Sequence, residues 1–218
     1  MFKNRLEAGL LLADKLRKYV NKEDIVLAVP RGGVPVAYVV AKELGLPLSI
    51  VLAKKIGHPD DREYAIGAAS LTDHFVKPDL EIPETYIQQE LIAIRKKLKE
   101  MQQKFFGTTE PESIQGKTVI IIDDGIATGN TVLATIEVLR KGKPRKIIVA
   151  VPVTSQTAFR KLSDEVDVLV TVECPKVFLS VGSFYEDFTQ VEDTDVLFYL
   201  KRLREFRKTN QAFGSSNL

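Results

Sequence analysis

A run of five residues, Thr118-Val119-Ile120-Ile121-Ile122, predicts the strongest β-strand of the chain, and two acids, Asp123 and Asp124, follow it at once. A continuous apolar run without alternation is typical of a strand that is buried on both faces of a parallel sheet. Small residues then break the strand, and a helix is predicted from about Thr131 to Lys141. A buried strand that leads through a short loop into a helix is the repeating unit of α/β folds.

The same order of strand, loop and helix recurs along the rest of the chain. Further buried strands are predicted at Ile25–Val29, Leu48–Leu52, Lys146–Val151 and Val166–Val172. Helices are predicted at residues 3–20, 34–44, 84–106 and 193–208, and short strands at 65–71 and 75–76. We therefore expect a central parallel sheet flanked by helices, with ligands bound in the loops at the carboxyl ends of its strands.

The longest predicted helix, residues 84–106, carries an apolar seam. Its members recur every three or four residues and are Ile87, Leu91, Ile94, Leu98, Met101 and Phe105. Such a seam packs either in a core or against a second subunit, because it is too short for a coiled coil. The whole chain, at 218 residues, has the size of one domain with an added lobe. We expect a single domain over residues 1–208 and a disordered tail over residues 209–218.

Composition and charge exclude several classes of protein. The single cysteine, Cys174, rules out an internal disulfide and a zinc site built of cysteines, and two histidines leave little for a histidine-rich metal centre. The 31 basic and 29 acidic residues give a net charge of +2, which exerts no general pull on nucleic acids or acidic membranes. No apolar run approaches the ~18 residues that a membrane span needs, and no signal peptide is evident. We expect a cytoplasmic protein without a membrane or nucleic-acid partner.

The loop after the strongest predicted strand combines two chemistries. Asp123 and Asp124 can accept hydrogen bonds from a vicinal diol, and their charge disfavours a phosphate directly beside them. The small residues from Ala127 to Thr131 expose backbone amides at the start of a helix, which is a favourable place for a phosphate. A ribose 5-phosphate satisfies both halves of the loop. The structural alternative is an ordinary turn with an Asp as helix cap, but capping needs only one acid.

Residues 119–131 resemble the signature with which type I phosphoribosyltransferases bind 5-phosphoribosyl 1-diphosphate (PRPP), and residues 1–200 resemble a bacterial and archaeal group of predicted phosphoribosyltransferases. The resemblance implies a parallel-sheet core, a small hood at about residues 174–192, the long inserted helix, a mobile loop, and PRPP with Mg²⁺ as substrate. It implies that Asp123 and Asp124 bind the ribose hydroxyls. The 5-phosphate would be bound by Ala127, Thr128, Gly129, Asn130 and Thr131. Together with the apolar seam, the resemblance also indicates a homodimer.

Two further loops carry positive charge. In Pro30-Arg31-Gly32-Gly33, the glycines let backbone amides approach an anion, and Arg31 adds a guanidinium. The resemblance makes these residues the pyrophosphate loop, often with a non-proline cis peptide bond; the alternative is a plain turn. Lys54–Tyr64 is expected to be a charged mobile loop that closes over PRPP, with Lys54 favoured over Lys55 as the catalytic group. The alternative for this second loop is an ordinary solvated segment.

The hood contains the third group of candidate residues. The segment 178–188 resembles the hood of 6-oxopurine phosphoribosyltransferases, in which an aromatic ring stacks on the base and an acid lies near the metal. On that resemblance Phe178 stacks on a planar ring, and Glu186 or Asp187 approaches Mg²⁺ or pyrophosphate. Asp123, Asp124, Glu186 and Asp187 would then hold Mg²⁺ mostly through substrate and water. The alternative is a hydrophobic plug.

This sequence departs from the 6-oxopurine enzymes at two places, so the identity of the acceptor is left open. Those enzymes carry an Asp where this chain has Ala127, whereas adenine- and uracil-type enzymes have a small residue there. The lysine that reads the purine is also missing, since Val151-Pro152-Val153 stands in that region. The partner expected besides PRPP is therefore a small nitrogenous acceptor of unassigned identity.

The function expected from these residues is transfer of the phosphoribosyl group of PRPP to a ring nitrogen, with release of pyrophosphate. Neither His58 nor His74 is expected to act as a base, so the acceptor needs none or uses Glu186 or Asp187. Two alternatives keep the same site: a regulatory protein that binds PRPP or a nucleotide without turnover, and a hydrolase that uses water as acceptor. Only a basic last helix favours regulation, through Lys201, Arg202, Arg204, Arg207 and Lys208.

Overall fold

The computed structural model of the chain describes residues 1–78, 80–107 and 112–215, with side chains up to residue 210. The helices are α1 (Arg5–Leu16), α2 (Gly33–Leu44), α3 (Glu84–Phe106), α4 (Asn130–Lys141), α5 (Gln156–Ser163) and α6 (Asp193–Ser215). The strands are β1 (Ile25–Ala28), β2 (Leu48–Ile50), β3 (Ala53–Gly57), β4 (Ala65–Ser70), β5 (His74–Val76), β6 (Thr118–Ile122), β7 (Lys146–Val153) and β8 (Val168–Glu173). The chain forms two compact units. The first comprises Met1–Val51, Lys117–Ala127 and the chain from Arg145 on, and the second comprises Leu52–Gly116 and Thr128–Pro144.

The first unit contains a five-stranded sheet in the order β2-β1-β6-β7-β8. All four strand pairs are parallel. In the central pair, Ile25 lies opposite Val119 and Ala28 lies opposite Ile122, so β1 and β6 end at the same level of the sheet. The loops that follow these two strands therefore begin side by side. The predicted parallel sheet flanked by helices is confirmed, and its strands begin and end within two residues of the predicted limits.

Burial explains why the strands of this sheet read as unbroken apolar runs. Every residue of β1 and of β6 is buried, because helices cover both faces of the sheet. Helix α1 begins after Asn4, whose side chain accepts hydrogen bonds from the amides of Leu6 and Glu7. It packs closely on α2, where a Cβ on Gly9 would lie 2.8 Å from the Cβ of Val39. These contacts fix the start of α1, which carries a residue of the candidate site.

The second unit contains an antiparallel sheet in the order β3-β4-β5, together with α3 and α4. One face of α3, formed by Ile87, Leu91, Ile94 and Leu98, is buried against Ile56, Ile66 and Ala69 of that sheet. The apolar seam predicted from the sequence is therefore core of this unit. It no longer argues for a homodimer, because its side chains are already covered within the chain.

Two predicted boundaries were wrong. Lys54–Tyr64 was expected to be a loop, but Ala53–Gly57 forms β3, in which Lys54 lies opposite Ala69 of β4 and Ile56 is fully buried. Pairing with β4 satisfies this backbone in spite of the charged side chains, so only residues 58–64 connect the two strands. Helix α6 continues to Ser215, beyond the predicted end near residue 208. Its sequence lacks glycine and proline as far as residue 213, so no residue type there stops the helix.

The fold does not test two of the expectations about domain organisation. Residues 216–218 of the predicted disordered tail lie outside the described residues. The assignment of residues 1–208 to one domain, with a hood at 174–192, stays a prediction. Among the described residues, none of the helices combines the length and the apolar character that crossing a bilayer requires.

Candidate active site

The acidic pair Asp123 and Asp124 follows β6 directly and lies against the loop that follows β1. A Cβ on Gly33 would lie 2.6 Å from the carbonyl oxygen of Ile122 and 2.8 Å from the Cα of Asp123. A Cβ on Gly32 would lie 2.2 Å from Oδ2 of Asp124. Only glycine allows backbone and carboxylates to approach this closely. The structure thus brings together four of the predicted site residues, two from each loop.

Arg5, the first residue of α1, forms an ion pair with Asp124. Its Nε and Nη2 atoms both lie 2.9 Å from Oδ2 of Asp124. The side chains of Arg5 and Asp124 are only 10% and 13% exposed. The remaining nitrogen, Nη1, donates to the carbonyl oxygen of Thr189 at 2.8 Å, and the guanidinium carbon lies 3.9 Å from the ring centre of Phe188. Arg5 is therefore held on three sides while it neutralises one of the two acids.

Tyr185 holds the backbone of the same acid. Its hydroxyl donates to the carbonyl oxygen of Asp124 at 2.6 Å, and its ring packs 5.3 Å from that of Phe2. Burial, and then the charge of Asp124, raises the pKa of Tyr185 above its ordinary value. The hydroxyl thus stays protonated and remains a donor throughout the physiological range.

Electrostatics distinguishes the two acids. The amide of Asp124 donates to Oδ1 of Asp123 at 2.8 Å, so the two residues are tied to each other. Burial, and then repulsion by Asp124, raises the pKa of Asp123 well above its ordinary value. Burial also raises the pKa of Asp124, but the charge of Arg5 opposes that rise. Arg5 therefore makes Asp124 the acid that more readily carries a negative charge. A second negative charge, on Asp123, is disfavoured by burial and by the charge of Asp124.

Arg31 lies in the loop after β1, and its peptide bond to Pro30 is cis, as the resemblance implied. Its Nη1 atom donates to Oε2 of Glu192 at 3.0 Å and lies 3.9 Å from Oδ1 of Asp193. Both acids stand at the start of α6. The Arg31 side chain is 41% exposed, so this pair is open to solvent.

Phe178 packs within the hood. Its ring centre lies 5.3 Å from that of Phe184, and the side chain joins a cluster of Phe2, Val153 and Tyr185. These contacts agree with the alternative of a hydrophobic plug. Stacking of Phe178 on an acceptor ring stays a prediction.

The two predicted hood acids are tied to the N-terminal segment and to the hood itself. The amide of Glu186 donates to Phe2 and that of Asp187 donates to Lys3. Oδ1 of Asp187 accepts from the hydroxyl of Thr189 at 2.6 Å and from its amide, and these bonds lower the pKa of Asp187. Glu186 is exposed. In the part of the chain that the structure describes, no group of three or more His, Cys, Asp or Glu residues could hold a metal ion.

The predicted phosphate loop passes from the first unit into the second after Ala127. In the first unit, the carbonyl oxygen of Ala127 accepts from the hydroxyl of Ser155 at 2.6 Å. In the second unit, Gly129 has a φ of +77°, a left-handed conformation that favours glycine, and α4 begins at Asn130. Thr128 to Thr131 thus lie at the start of a helix of 12 residues, as predicted. Lys54, also in the second unit, is a partly buried residue of β3.

Three residues of the site were not found from the sequence. Arg5 and Tyr185 contact Asp124, and Glu192 contacts Arg31. Tyr185 stood within the hood segment and could have been noticed there. Arg5 gave no signal, because a basic residue near a helix start is ordinary on a protein surface.

Comparison with known proteins identifies the family to which this fold and these two loops belong. Residues 5–189 match the phosphoribosyl transferase domain, so the chain belongs to that family. Among individual proteins, it is 34% identical over 207 residues to a Mycobacterium tuberculosis H37Rv protein named "Putative phosphoribosyl transferase Rv0571c", covering 93% of this chain and 47% of that protein. The protein of the same description in M. tuberculosis CDC 1551 matches equally well. The chain thus spans about half the length of the curated relatives it matches.

A solved structure is similar over almost the whole chain. The crystal structure of TT1426 from Thermus thermophilus is 35% identical, covers 91% of this chain and 97% of that one, and superposes with a TM-score of 0.84. The similarity therefore covers the elements that carry the candidate residues.

Proposed function

We propose that this chain is a Mg²⁺-dependent phosphoribosyltransferase that moves the 5-phosphoribosyl group of PRPP to a nitrogenous acceptor and releases pyrophosphate. The observation that carries the proposal is the acidic pair Asp123 and Asp124. In a chain of the phosphoribosyl transferase domain family, it stands at the end of a buried parallel strand, beside a glycine loop and a buried guanidinium. Ligands of parallel α/β sheets bind at that edge.

Each part of PRPP has a group that suits it in this chain. Carboxylates of Asp123 and Asp124 accept hydrogen bonds from the ribose hydroxyls. Backbone amides of Gly32 and Gly33, with the guanidinium of Arg31, bind pyrophosphate. Backbone amides and hydroxyls at the start of α4, within the predicted phosphate loop, bind the 5-phosphate. Lys54 remains a candidate catalytic residue, although it belongs to a strand and not to a loop.

The proposed reaction breaks the bond between the anomeric carbon and pyrophosphate and forms a bond from that carbon to the acceptor nitrogen. Negative charge grows on pyrophosphate, where Arg31 and the loop amides offset it, and positive charge grows on the ribose ring, beside the acidic pair. The nitrogen loses its proton to solvent or to Glu186, which is exposed in the hood. Because the acceptor nitrogen is itself the nucleophile in this reaction, positioning and electrostatics carry most of the rate.

Mg²⁺ fits this donor set as an ion brought mainly by the substrate. Mg²⁺ prefers oxygen ligands and is commonly held by one or two carboxylates together with substrate phosphates. The site offers Asp123 and Asp124, one of which is already paired with Arg5, and Glu186 and Asp187 are the further candidates. Bound in this way, the ion would neutralise charge on pyrophosphate.

The direct test is release of pyrophosphate from PRPP and Mg²⁺ in the presence of single purines, pyrimidines or small amines. Release with one acceptor supports the proposal and identifies the acceptor. The double variant Asp123→Asn/Asp124→Asn should then keep its fold and lose more than about 100-fold in PRPP affinity, because two charge-assisted contacts are removed. The matched control is Asp14→Asn, at an exposed acid on α1 whose side chain is 84% accessible. A fully active double variant would contradict the diol assignment.

Two other results would move the conclusion to the alternatives. Release without any acceptor would indicate a hydrolase. Binding of PRPP without release would favour a regulatory protein, for which the exposed basic residues Lys201, Arg202 and Arg204 of α6 supply a nucleic-acid surface. The homodimer stays a prediction from the family resemblance, and light scattering of the purified chain tests it.

A further inference from the structure

We propose that Arg5 is a positioning residue of the ribose site, which acts by fixing the carboxylate of Asp124 in the orientation that receives the sugar hydroxyls. The inference rests on the proposed function, because it concerns the same acidic pair. It extends that function to a residue 119 positions away in sequence, at the first turn of the chain.

The contact geometry is directional. Two nitrogens of one guanidinium bind a single oxygen, Oδ2, and each lies 2.9 Å from it. A carboxylate gripped at one oxygen through two donors cannot rotate about its last bond without losing both contacts. A lysine would preserve the charge but offers one nitrogen on a flexible stem, so it cannot reproduce the grip. Arg5 therefore supplies orientation as well as charge.

Arg5 is itself held before any ligand binds. Its third nitrogen donates to Thr189, and its guanidinium lies over the ring of Phe188. The preceding residues are anchored as well, because the amide of Phe2 donates to Phe184 at 2.8 Å and the carbonyl oxygen of Phe2 accepts from Glu186 at 2.8 Å. Residues 2 and 3 thus pair with the hood like a short strand. The N-terminal segment and the hood together form the support of Asp124.

Charge makes the same residue necessary. Asp123 and Asp124 are adjacent, partly buried and joined by a hydrogen bond. Without a nearby cation, two such carboxylates repel each other, and the carboxylate of Asp124 turns away from Asp123. A carboxylate that has turned away no longer aims its oxygens at the sugar hydroxyls. The guanidinium of Arg5 therefore holds the pair in the arrangement that presents acceptors to a diol.

The test measures binding of ribose 5-phosphate and of 2-deoxyribose 5-phosphate to the wild-type chain and to Arg5→Gln. Loss of the guanidinium should lower the affinity for ribose 5-phosphate by about 10- to 100-fold. The affinity for the deoxy analogue, which lacks one of the hydroxyls, should fall clearly less. If Arg5 were merely structural, its replacement would lower the affinity for both ligands equally. Arg17→Gln is the matched control, because it removes an exposed guanidinium just beyond the other end of α1 and should change neither affinity.

A double-variant cycle completes the test. If Arg5 acts through Asp124, then Asp124→Asn should lower the affinity for ribose 5-phosphate little further once Arg5 has been replaced. Arg5→Lys should recover part of the affinity, and it also serves as the test variant if Arg5→Gln does not fold. Wild-type affinity in the Arg5 variants, or losses that multiply in the double variant, would overturn the inference alone. If the wild-type chain binds neither PRPP nor ribose 5-phosphate, the proposed function falls, and the role of Arg5 falls with it.

Discussion

Two ion pairs at the candidate active site differ in how far water reaches them. In the pair of Arg5 with Asp124, the side chains are 10% and 13% exposed, whereas in the pair of Arg31 with Glu192 they are 41% and 54% exposed. In the first pair, the guanidinium of Arg5 also donates to the carbonyl oxygen of Thr189 and lies over the ring of Phe188. The second is a single hydrogen bond of 3.0 Å, with Asp193 more distant.

For the proposed binding of PRPP, this difference in exposure predicts separate roles for the two pairs. A buried pair is costly to break, so Arg5 and Asp124 belong to the permanent framework. An exposed pair contributes little to stability, so Arg31 can leave Glu192 for a phosphate at small cost. We expect Asp123 and Asp124 to keep their positions when substrate binds. Arg31, in contrast, should leave Glu192 and bind the substrate.

The largest effect is expected from breaking the buried pair. Asp124→Ala removes both carboxylate oxygens, so the largely buried guanidinium of Arg5 loses its partner. We expect the free energy of unfolding to fall by about 3 kcal/mol. Urea denaturation measures this change. Glu192→Gln is the control at the exposed pair and should change stability by less than about 0.5 kcal/mol. Equal losses in the two variants would erase the distinction between the pairs.

A second prediction separates the two glycines that face the acids. In Gly33→Ala, the new methyl group meets backbone atoms of Ile122 and Asp123 at 2.6 and 2.8 Å, which cannot move aside. We expect a loss of stability of about 1–3 kcal/mol. In Gly32→Ala, the methyl group meets a side-chain oxygen of Asp124 at 2.2 Å, so the carboxylate is displaced from Arg5.

Thermal unfolding, measured on both glycine variants, tests this separation. Both variants should lose stability, Gly32→Ala because it displaces the carboxylate of Asp124 from Arg5 and Gly33→Ala because it presses on the backbone. In an Asp124→Ala background, Gly32→Ala should cost little further, because the carboxylate is already gone, whereas Gly33→Ala should cost as much as in the wild-type chain. Equal further losses of the two variants in that background would contradict the account of the close approach.

The third prediction concerns Asp123, which lacks the direct contact with Arg5 that Asp124 has. Because the pKa of Asp123 is raised in the folded chain, the folded state binds its proton more tightly than the unfolded state does. Its contribution to stability is therefore full below the unfolded pKa and is lost as pH rises through the folded value. We expect Asp123→Asn to stabilise the chain by about 0.5–2 kcal/mol at neutral pH while weakening PRPP binding.

The pH dependence distinguishes this cause from improved packing. The advantage of Asp123→Asn over the wild-type chain should shrink as pH falls and disappear near the ordinary Asp pKa of about 4. Urea denaturation at a series of pH values measures it. An advantage that is the same at all pH values would contradict the electrostatic explanation.

These comparisons also mark what the sequence could and could not predict. The parallel sheet and the acids after β6 were predictable, because a buried apolar run and the residues that end it are adjacent in the chain. The place of the glycines in the loop after β1 was predictable for the same reason. Arg5 was not, because its partner is 119 residues away and the pairing depends on where α1 meets the sheet edge. The sequence predicted a loop at Lys54, because charged residues there do not resemble a strand. The pairing of β3 with β4, which stabilises the strand, depends on the folded chain.

The smallest effect is expected at the exposed pair. If Glu192 competes with pyrophosphate for Arg31, Glu192→Gln removes the competing charge and should tighten PRPP binding by about two- to fivefold, in keeping with the small energies of exposed pairs. Titration calorimetry with PRPP measures this gain, and the gain should shrink as salt screens the charges. Ribose 5-phosphate, which lacks pyrophosphate, should bind equally to both chains, and Glu205→Gln on the same helix should affect neither ligand. Weaker PRPP binding in Glu192→Gln would mean that Glu192 holds Arg31 in place for pyrophosphate, and that the exposed pair, like the buried one, belongs to the framework.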